Sequence, residues 1–561
     1  MRRRQSDRAQ QRLDAETHLG PLPAASADLS VCLAYPNTYP VGMANLGFQA
    51  IYGILVRAGV AVERAFLPDA RSNEPIRTLE SGRSLSAFDV VAFSISFETD
   101  YVHVLDLLAS AGITLRGAER NRREPLVVAG GPAVFLNPEP LADFIDLFLI
   151  GEGEEMVPEW LDAIRTERGD REWKLEASRG ISGAYVPSLW PSVPAQRTGE
   201  PRVRRRYIAQ LDDAPTQSLI LAPEAVFGDM FLIEASRGCE WGCRFCAAGY
   251  MYRPVRHRST ESLRKAVVED ALPHRSTVGL VGAEMASHPG IAGLCREVAD
   301  RGGRASPSSL KADLVGPELA EALTRGKTNS VTVAPEAGSE RMRRVINKNL
   351  TESEILRAAR LLAAEGVRAL KLYSMIGLPT ETDDDVLAIA RLAEKIRAHL
   401  PGGVGRITLS INPFVPKPWT PLQWEPMENL SVVKSRARLL KQATDRIPGT
   451  TVDLESPRDA YWQTLLSRGD RRVGEILEAV HRAAGKFWPI VRQANRDGGF
   501  GDCPAPDEFV HRRYEPDEVL PWDFIDHSVE KRYLLSEWRK AMLERETPPC
   551  DVATCQTCGA C

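Results

Sequence analysis

The chain has 561 residues, 43% of them hydrophobic and 26% charged, with a formal net charge of −4. That is ordinary for a globular protein of about three or four domains, and the charge offers no global pull on nucleic acid. No apolar run is long enough to span a membrane, and the opening MRRRQSDRAQQRLDAE lacks the apolar stretch of a secretory signal; the expected compartment is the cytoplasm.

Residues 1–28 read as a polar, solvated tail. From 29 to about 190, β-rich runs alternate with helical patterns: VCLAYP, VAVERAFL, FDVVAFSIS, PLVVAGGP and DLFLIGEGEE, with helices expected over about 45–58, up to residue 108 and near residue 160. Buried runs in strand–helix alternation predict a doubly wound, Rossmann-like parallel sheet. Asn37, Ser94, Ser96, Gly130, Gly131, Gly151 and Gly153 fall at strand ends, where such sheets bind ligands. Residues 191–228 read as a linker with some strand. Six further strand–helix units follow over 229–428 (FLIEASR, STVGLVGAE, RASPSSL, NSVTVAPEA, VRALKLYSMIGLP, GRITLSINPF) and predict a partial (β/α)6 barrel whose post-strand loops line the active face. Residues 429–545 have helical periodicity, and 546–561 form a cysteine-rich tail. The fold class is therefore α/β, with a helical C-terminal region.

Seven of the ten cysteines lie in two tight groups, at 239–246 and 550–561. In a cytosolic chain such groups read as metal ligands rather than disulfides. Cys32, Cys295 and Cys503 are scattered and read as core thiols. Cys239, Cys243 and Cys246 have the spacing C-x3-C-x2-C directly after a predicted strand. Three thiolates on one loop suit a [4Fe–4S] cube with one iron left open. A structural zinc site would need a fourth ligand, with His257 the nearest candidate.

This triad, with the aromatic Phe245 before its last cysteine, resembles the signature of the radical S-adenosylmethionine (SAM) superfamily. The resemblance implies that SAM chelates the open iron and is cleaved by the reduced cluster to a 5′-deoxyadenosyl radical. It implies an electron donor such as flavodoxin or ferredoxin. Further positions match. Gly282, Ala283 and Glu284 resemble the turn that meets the SAM amine, with alanine in place of its middle glycine. Ser309 and Lys311 follow the third strand of the barrel as SAM contacts. Glu336, Gly338 and Ser339 lie in a loop that faces the cofactor in relatives. Ile376, Gly377 and Leu378 resemble the apolar strip beside adenine.

Residues 31–425 resemble a family of radical SAM proteins with an N-terminal domain like those that bind cobalamin. The DxHxxG signature, whose histidine ligates cobalt, is absent. Two alternatives follow: cobalamin held without a histidine ligand, or a domain that has lost the cofactor. Glycines at 130, 131 and 153 favour close approach of a large ligand.

Cys550, Cys555, Cys558 and Cys561 give C-x4-C-x2-C-x2-C. The pattern resembles the start of a ferredoxin run and suggests an auxiliary [4Fe–4S] cluster, with zinc as the alternative. Arg253, Arg256 and Arg258 after the triad either meet phosphates or pair with acidic residues. His527, near Asp523 and Asp526, reads first as a structural histidine. The combined expectation is a radical transferase acting on an RNA, a protein or a small molecule. Cobalamin-dependent methylation is its first form and sulfur insertion or methylthiolation its second. A non-catalytic electron-transfer or sensor protein is the reading from another class.

Overall fold

The computed structural model describes residues 2–69, 74–165, 169–194, 202–400, 405–552, 554–555 and 557–560. The first sheet holds β1 (Ser30–Thr38), β2 (Ala61–Leu67), β3 (Val90–Ser94), β4 (Leu126–Gly130), β5 (Leu147–Leu149) and β6 (Ala184–Tyr185), in the order β2-β1-β3-β4-β5-β6. All neighbours are parallel except β5 and β6. Val31 to Tyr35 of the central β1 are all buried, which is why that strand reads as an unbroken apolar run. The strand order reverses beside β1, so a crevice opens beyond the carboxyl ends of β1 and β3. The helix Leu46–Arg57 starts at that crevice, its first turn capped by Asn45, whose Oδ1 accepts from the Phe48 amide at 2.9 Å.

The second part is a curved array of parallel strands. Three of them, β7 (Met230–Glu234), β8 (Thr277–Val281) and β9 (Arg304–Pro307), pair in that order. Four more, β10 (Ser330–Glu336), β11 (Ala369–Ile376), β12 (Arg406–Pro413) and β13 (Thr450–Leu454), form the continuation. A parallel bridge between Leu310 and Val333 joins the two sets. The six expected barrel strands are present, and β13 adds a seventh inside the region expected to be helical. Most of β13 is exposed, as befits an edge strand, so it shows no apolar alternation to read. Likewise β6 is too short to leave a pattern.

Two other expectations are corrected. The helical periodicity expected over 429–545 runs unbroken through 473–491, yet that stretch is two helices, Val473–Arg482 and Phe487–Asp497. The break falls at Ala484 and Gly485, both at positive φ. The N-terminal segment is a helix, Arg2–Ala15, and not a solvated tail; Thr17 and His18 then pair with Leu221 and Ile220. Charge fixes it in place. Arg12 bonds Asp69 at 2.7 Å and Glu224 at 3.0 Å, and Glu16 accepts from buried Arg64 at 2.7 and 2.8 Å. Ion pairing leaves no hydrophobic period, so composition alone suggested a free tail. Among the described residues no helix is long and apolar enough to cross a membrane.

His527 is fully buried at the junction of the N-terminal and C-terminal parts, its Nε2 2.8 Å from the Phe135 carbonyl and its ring edge-on to Trp419 at 5.0 Å. Burial, with Arg205 nearby, pushes its pKa down to about 3. The folded state thus holds the neutral ring. This contribution is complete above pH 6.5 and is lost as pH falls towards 3. Denaturant titrations should show about 2 kcal/mol of this loss by pH 5, and His527→Gln should remove that part of the slope.

Candidate functional site

The cysteine triad sits on the loop after β7. The loop starts with Ser236 and Arg237, which pair antiparallel with His257 and Arg256. Gly238 follows at φ 84°, where a Cβ would lie 2.6 Å from the Tyr252 carbonyl; this position demands glycine. Arg244, fully buried inside the triad, ties the loop to three other segments. Its guanidinium donates to Glu537 at 3.0 and 3.2 Å, to the carbonyls of Arg344 and Val345 at 2.9 and 3.0 Å, and to the Arg545 carbonyl at 2.7 Å. Asn347 and Tyr250 each donate to the Gly242 carbonyl at 3.1 Å.

Cys239, Cys243 and Cys246 are free thiols near one another. Burial pushes all three up, Cys243 to about 11, and the thiols add to one another's shift. Two cations stand close. Lys348, largely buried and 3.5 Å from Glu336, offsets part of that rise at Cys243 and Cys246. Lys311 lies 3.7 Å over the Trp241 ring, and the Trp241 indole N–H is buried with no acceptor. Among the described residues no three His, Cys, Asp or Glu side chains are closed into a metal cage. The chemistry of the donor set nonetheless fits a cluster. Three sheltered thiols are ionised by a bound metal and by little else.

The other predicted positions fall into two groups. Phe245 and Leu378 share an apolar cluster with Ala337, Met375 and Phe414, an arrangement suited to an aromatic base. Gly377, at φ 82°, turns the chain beside it and donates its amide to Glu381 at 2.7 Å. Ile376 instead belongs to the barrel core. Gly282 approaches Ser236 so closely that a Cβ would lie 2.4 Å from its Oγ. The Glu284 carboxylate is occupied by the amides of Ala286, Ser287 and Lys311 at 2.8 to 3.0 Å, so it shapes this turn. Ser309 donates to the Ala283 carbonyl at 3.2 Å. Ser339 caps the helix Glu340–Val345 and donates to Asp385 at 2.6 Å. Glu336 adopts φ 66°.

A cavity of about 790 Å3 lies between the two sheets. Ser94, Ser96, Gly130, Gly131 and Gly153 line it from the N-terminal side, and Gly282, Ala283 and Ser308 from the barrel. Gly238, Ala248 and Tyr252 of the triad loop border it. Asn37 is not among the lining residues; its side chain donates to Asp100 at 2.9 Å. No histidine lines the cavity among the described residues, in keeping with the missing DxHxxG signature. A Cβ at Gly130 would meet only the Leu149 carbonyl, at 3.5 Å, whereas at Gly131 (φ 109°) it would strike Ile95 at 2.5 Å. Gly130 thus leaves room for a ligand, and Gly131 is required by the turn. The volume, the largely apolar wall and the open glycine fit a bulky cofactor.

The sequence did not mark the link between the two sides. Glu152, buried at the end of β5, accepts from Arg256 at 2.7 and 2.9 Å and from the Ile208 amide at 3.0 Å, with Arg237 at 2.8 Å. Burial would raise its pKa, but these partners hold it below the usual carboxylate range. Arg258 is likewise spent on Glu234 and on carbonyls. The arginines after the triad therefore pair internally and are not a phosphate-binding patch. Asn45 was missed as a lining residue as well; it donates to Ser96 at 3.0 Å.

Comparison with known proteins finds two family matches along the chain. Residues 233–393 match the family described as the radical SAM superfamily, and residues 47–187 match the family described as radical SAM proteins, N-terminal. Residues 233–393 thus form a radical SAM domain and the chain is an enzyme; radical SAM domains use a [4Fe–4S] cluster and SAM. An uncharacterised protein of Methanocaldococcus jannaschii is 29% identical over 452 residues, 80% of this chain and 90% of that protein. The hopanoid C-3 methylase of Methylococcus capsulatus is 26% identical over 228 residues, 39% of this chain and 38% of that enzyme. Among solved structures, the cobalamin-dependent SAM radical enzyme OxsB, with aqua-cobalamin and SAM bound, shares the fold. Its TM-score is 0.50 at 12% identity, covering 92% of this chain and 79% of that one. The radical SAM methyltransferase TsrM of Kitasatospora setae gives 0.47 at 16% identity, covering 68% and 73%.

Arg244→Met should leave buried Glu537 with only Lys540 and Thr547 as partners and cost about 3 kcal/mol. Thermal unfolding should show this loss, and adding Glu537→Met should recover part of it.

Proposed function

We propose that this enzyme binds SAM at a cluster held by Cys239, Cys243 and Cys246, binds cobalamin in the cavity, and transfers a methyl group to an unactivated carbon of its substrate. The cavity carries the reading. Ser94, Ser96, Gly130, Gly131 and Gly153, expected at cobalamin, and Gly282 and Ala283, from the turn expected at SAM, line one continuous space, as methyl transfer between two cofactors requires; the three cysteines, Phe245 and Leu378 stand behind that lining. When bound, the cluster and SAM supply reductive radical generation and cobalamin supplies a methyl carrier.

The chain's own residues hold, orient and shield. The three thiols bind iron and leave one iron open. Phe245 and Leu378 offer an apolar bed, and Gly282 keeps the turn close to the triad loop. Lys348 balances negative charge beside the thiols. Ser94, Ser96 and Gly130 face the cofactor from the N-terminal sheet, and the apolar walls exclude water. The methylase relative and the fold shared with a cobalamin-dependent radical enzyme support the reading. Sulfur transfer from the tail cysteines is less favoured, because no described tail residue lines the cavity.

Two measurements test this. Reconstituted enzyme with SAM and dithionite should release 5′-deoxyadenosine, and Cys243→Ala should abolish it; equal release by both would refute the cluster assignment. Enzyme refolded with cobalamin should retain about one corrinoid per chain, and Gly130→Val, which fills the open wall, should weaken that binding by about tenfold or more. No stoichiometric corrinoid in the wild type would refute the methyl-carrier reading.

A further inference from the structure

The C-terminal cysteines take no part in the site above, yet they dock on its most important loop. The Cys550 amide donates to the Glu240 carbonyl at 2.9 Å, between Cys239 and Cys243. Just before it, Thr547 accepts from Asn347 and Asn349 at 3.1 and 2.8 Å and donates its amide to Asn347 at 2.7 Å. From Asp551 the chain turns, with the amides of Thr554 and Cys555 donating to the Asp551 carbonyl at 3.2 and 2.8 Å. The Cys558 carbonyl accepts from the Glu530 amide at 2.9 Å.

Arg253 makes a second connection. Its Nε donates to the Gly249 carbonyl, at the far end of the triad loop, at 2.6 Å. Its guanidinium packs over Tyr250 and Tyr533 at 5.1 and 5.5 Å and meets the Cys558 thiol. The Cys555 thiol is paired with that of Cys550 and feels the same arginine. Arg253 thus stands beside Cys555 and Cys558, and Cys550 hydrogen-bonds Cys555, although among the described residues the three thiols are not closed into a metal cage. Cys558 is buried against the protein, while Cys550 and Cys555 are partly exposed and Val552 is 41% exposed. The group faces solvent on one side and the triad loop on the other. Cys561 lies outside the described residues.

We propose that Cys550, Cys555 and Cys558 hold a second iron–sulfur cluster, which takes an electron from a low-potential one-electron donor protein and passes it to the cluster of the triad. The donor is oxidised by one electron, the tail cluster is reduced and reoxidised, and the triad cluster is reduced; no bond forms or breaks. Position decides for a relay over a substrate anchor, since the tail is open to solvent and outside the cavity wall. The proposal rests on the triad's role in SAM cleavage but not on cobalamin, and neither measurement below depends on a corrinoid.

Full-length protein is reconstituted anaerobically with iron and sulfide. A Cys239→Ala/Cys243→Ala/Cys246→Ala variant should keep about four irons and a reducible electron-paramagnetic signal. Zinc in their place, or no bound iron, would overturn the proposal. Cys555→Ser/Cys558→Ser should lose those irons and still cleave SAM with dithionite to within about twofold, while its rate with reduced flavodoxin falls by about tenfold or more. An unchanged flavodoxin rate, or an equal fall with both reductants, would overturn the relay.

Discussion

The whole arrangement depends on one buried carboxylate. Glu152 stands at the end of a strand of the N-terminal sheet, and the arginines that neutralise it, Arg237 and Arg256, flank the cysteine loop of the barrel. Such a buried network is weak evidence for net stability, because desolvation offsets much of the attraction. Its geometry is exacting, however. A carboxylate that loses these partners is left charged in an apolar seam, so the two sheets have one favourable way to meet. That docking places the carboxyl ends of both sheets across a single cavity.

The same economy holds around the triad. Arg244 occupies a sequence position between two of the proposed ligands and spends every donor on distant segments, including the carbonyls of Arg344, Val345 and Arg545 and the side chain of Glu537. The loop is therefore held from behind, by the C-terminal helix and the segment after it. The helical region expected only as an appendage to the barrel is part of the wall that supports its chemistry.

Much of this was legible in the chain. The buried runs of β1, β3 and β4 announced the first sheet, and the triad with Phe245 announced the superfamily, because both rest on local pattern. The missed elements share a different physics. β13 lies on an edge with little burial, and the N-terminal helix is fixed by Arg12 and Glu16 through ion pairs with residues far along the chain. Glu152 is one acid in an acidic run, and for Arg256 a phosphate and an acidic partner stood as equal alternatives. Only the fold brings such partners together, and no periodicity encodes them. The positions carried over by resemblance divided in the same way. Phe245 and Leu378 fall in one apolar cluster because burial gathers such side chains, whereas Glu284 and Ser339 turn to backbone amides within reach and serve the turns that hold them.

The docking of the tail on the cysteine loop also has a consequence for assembly. Cys243 is buried, and the segment from Thr547 to Cys550 lies directly against the loop that carries it. Cys239 and Cys246 keep partial exposure, so iron and sulfide have an open side from which to reach the triad while the C-terminal segment stays docked.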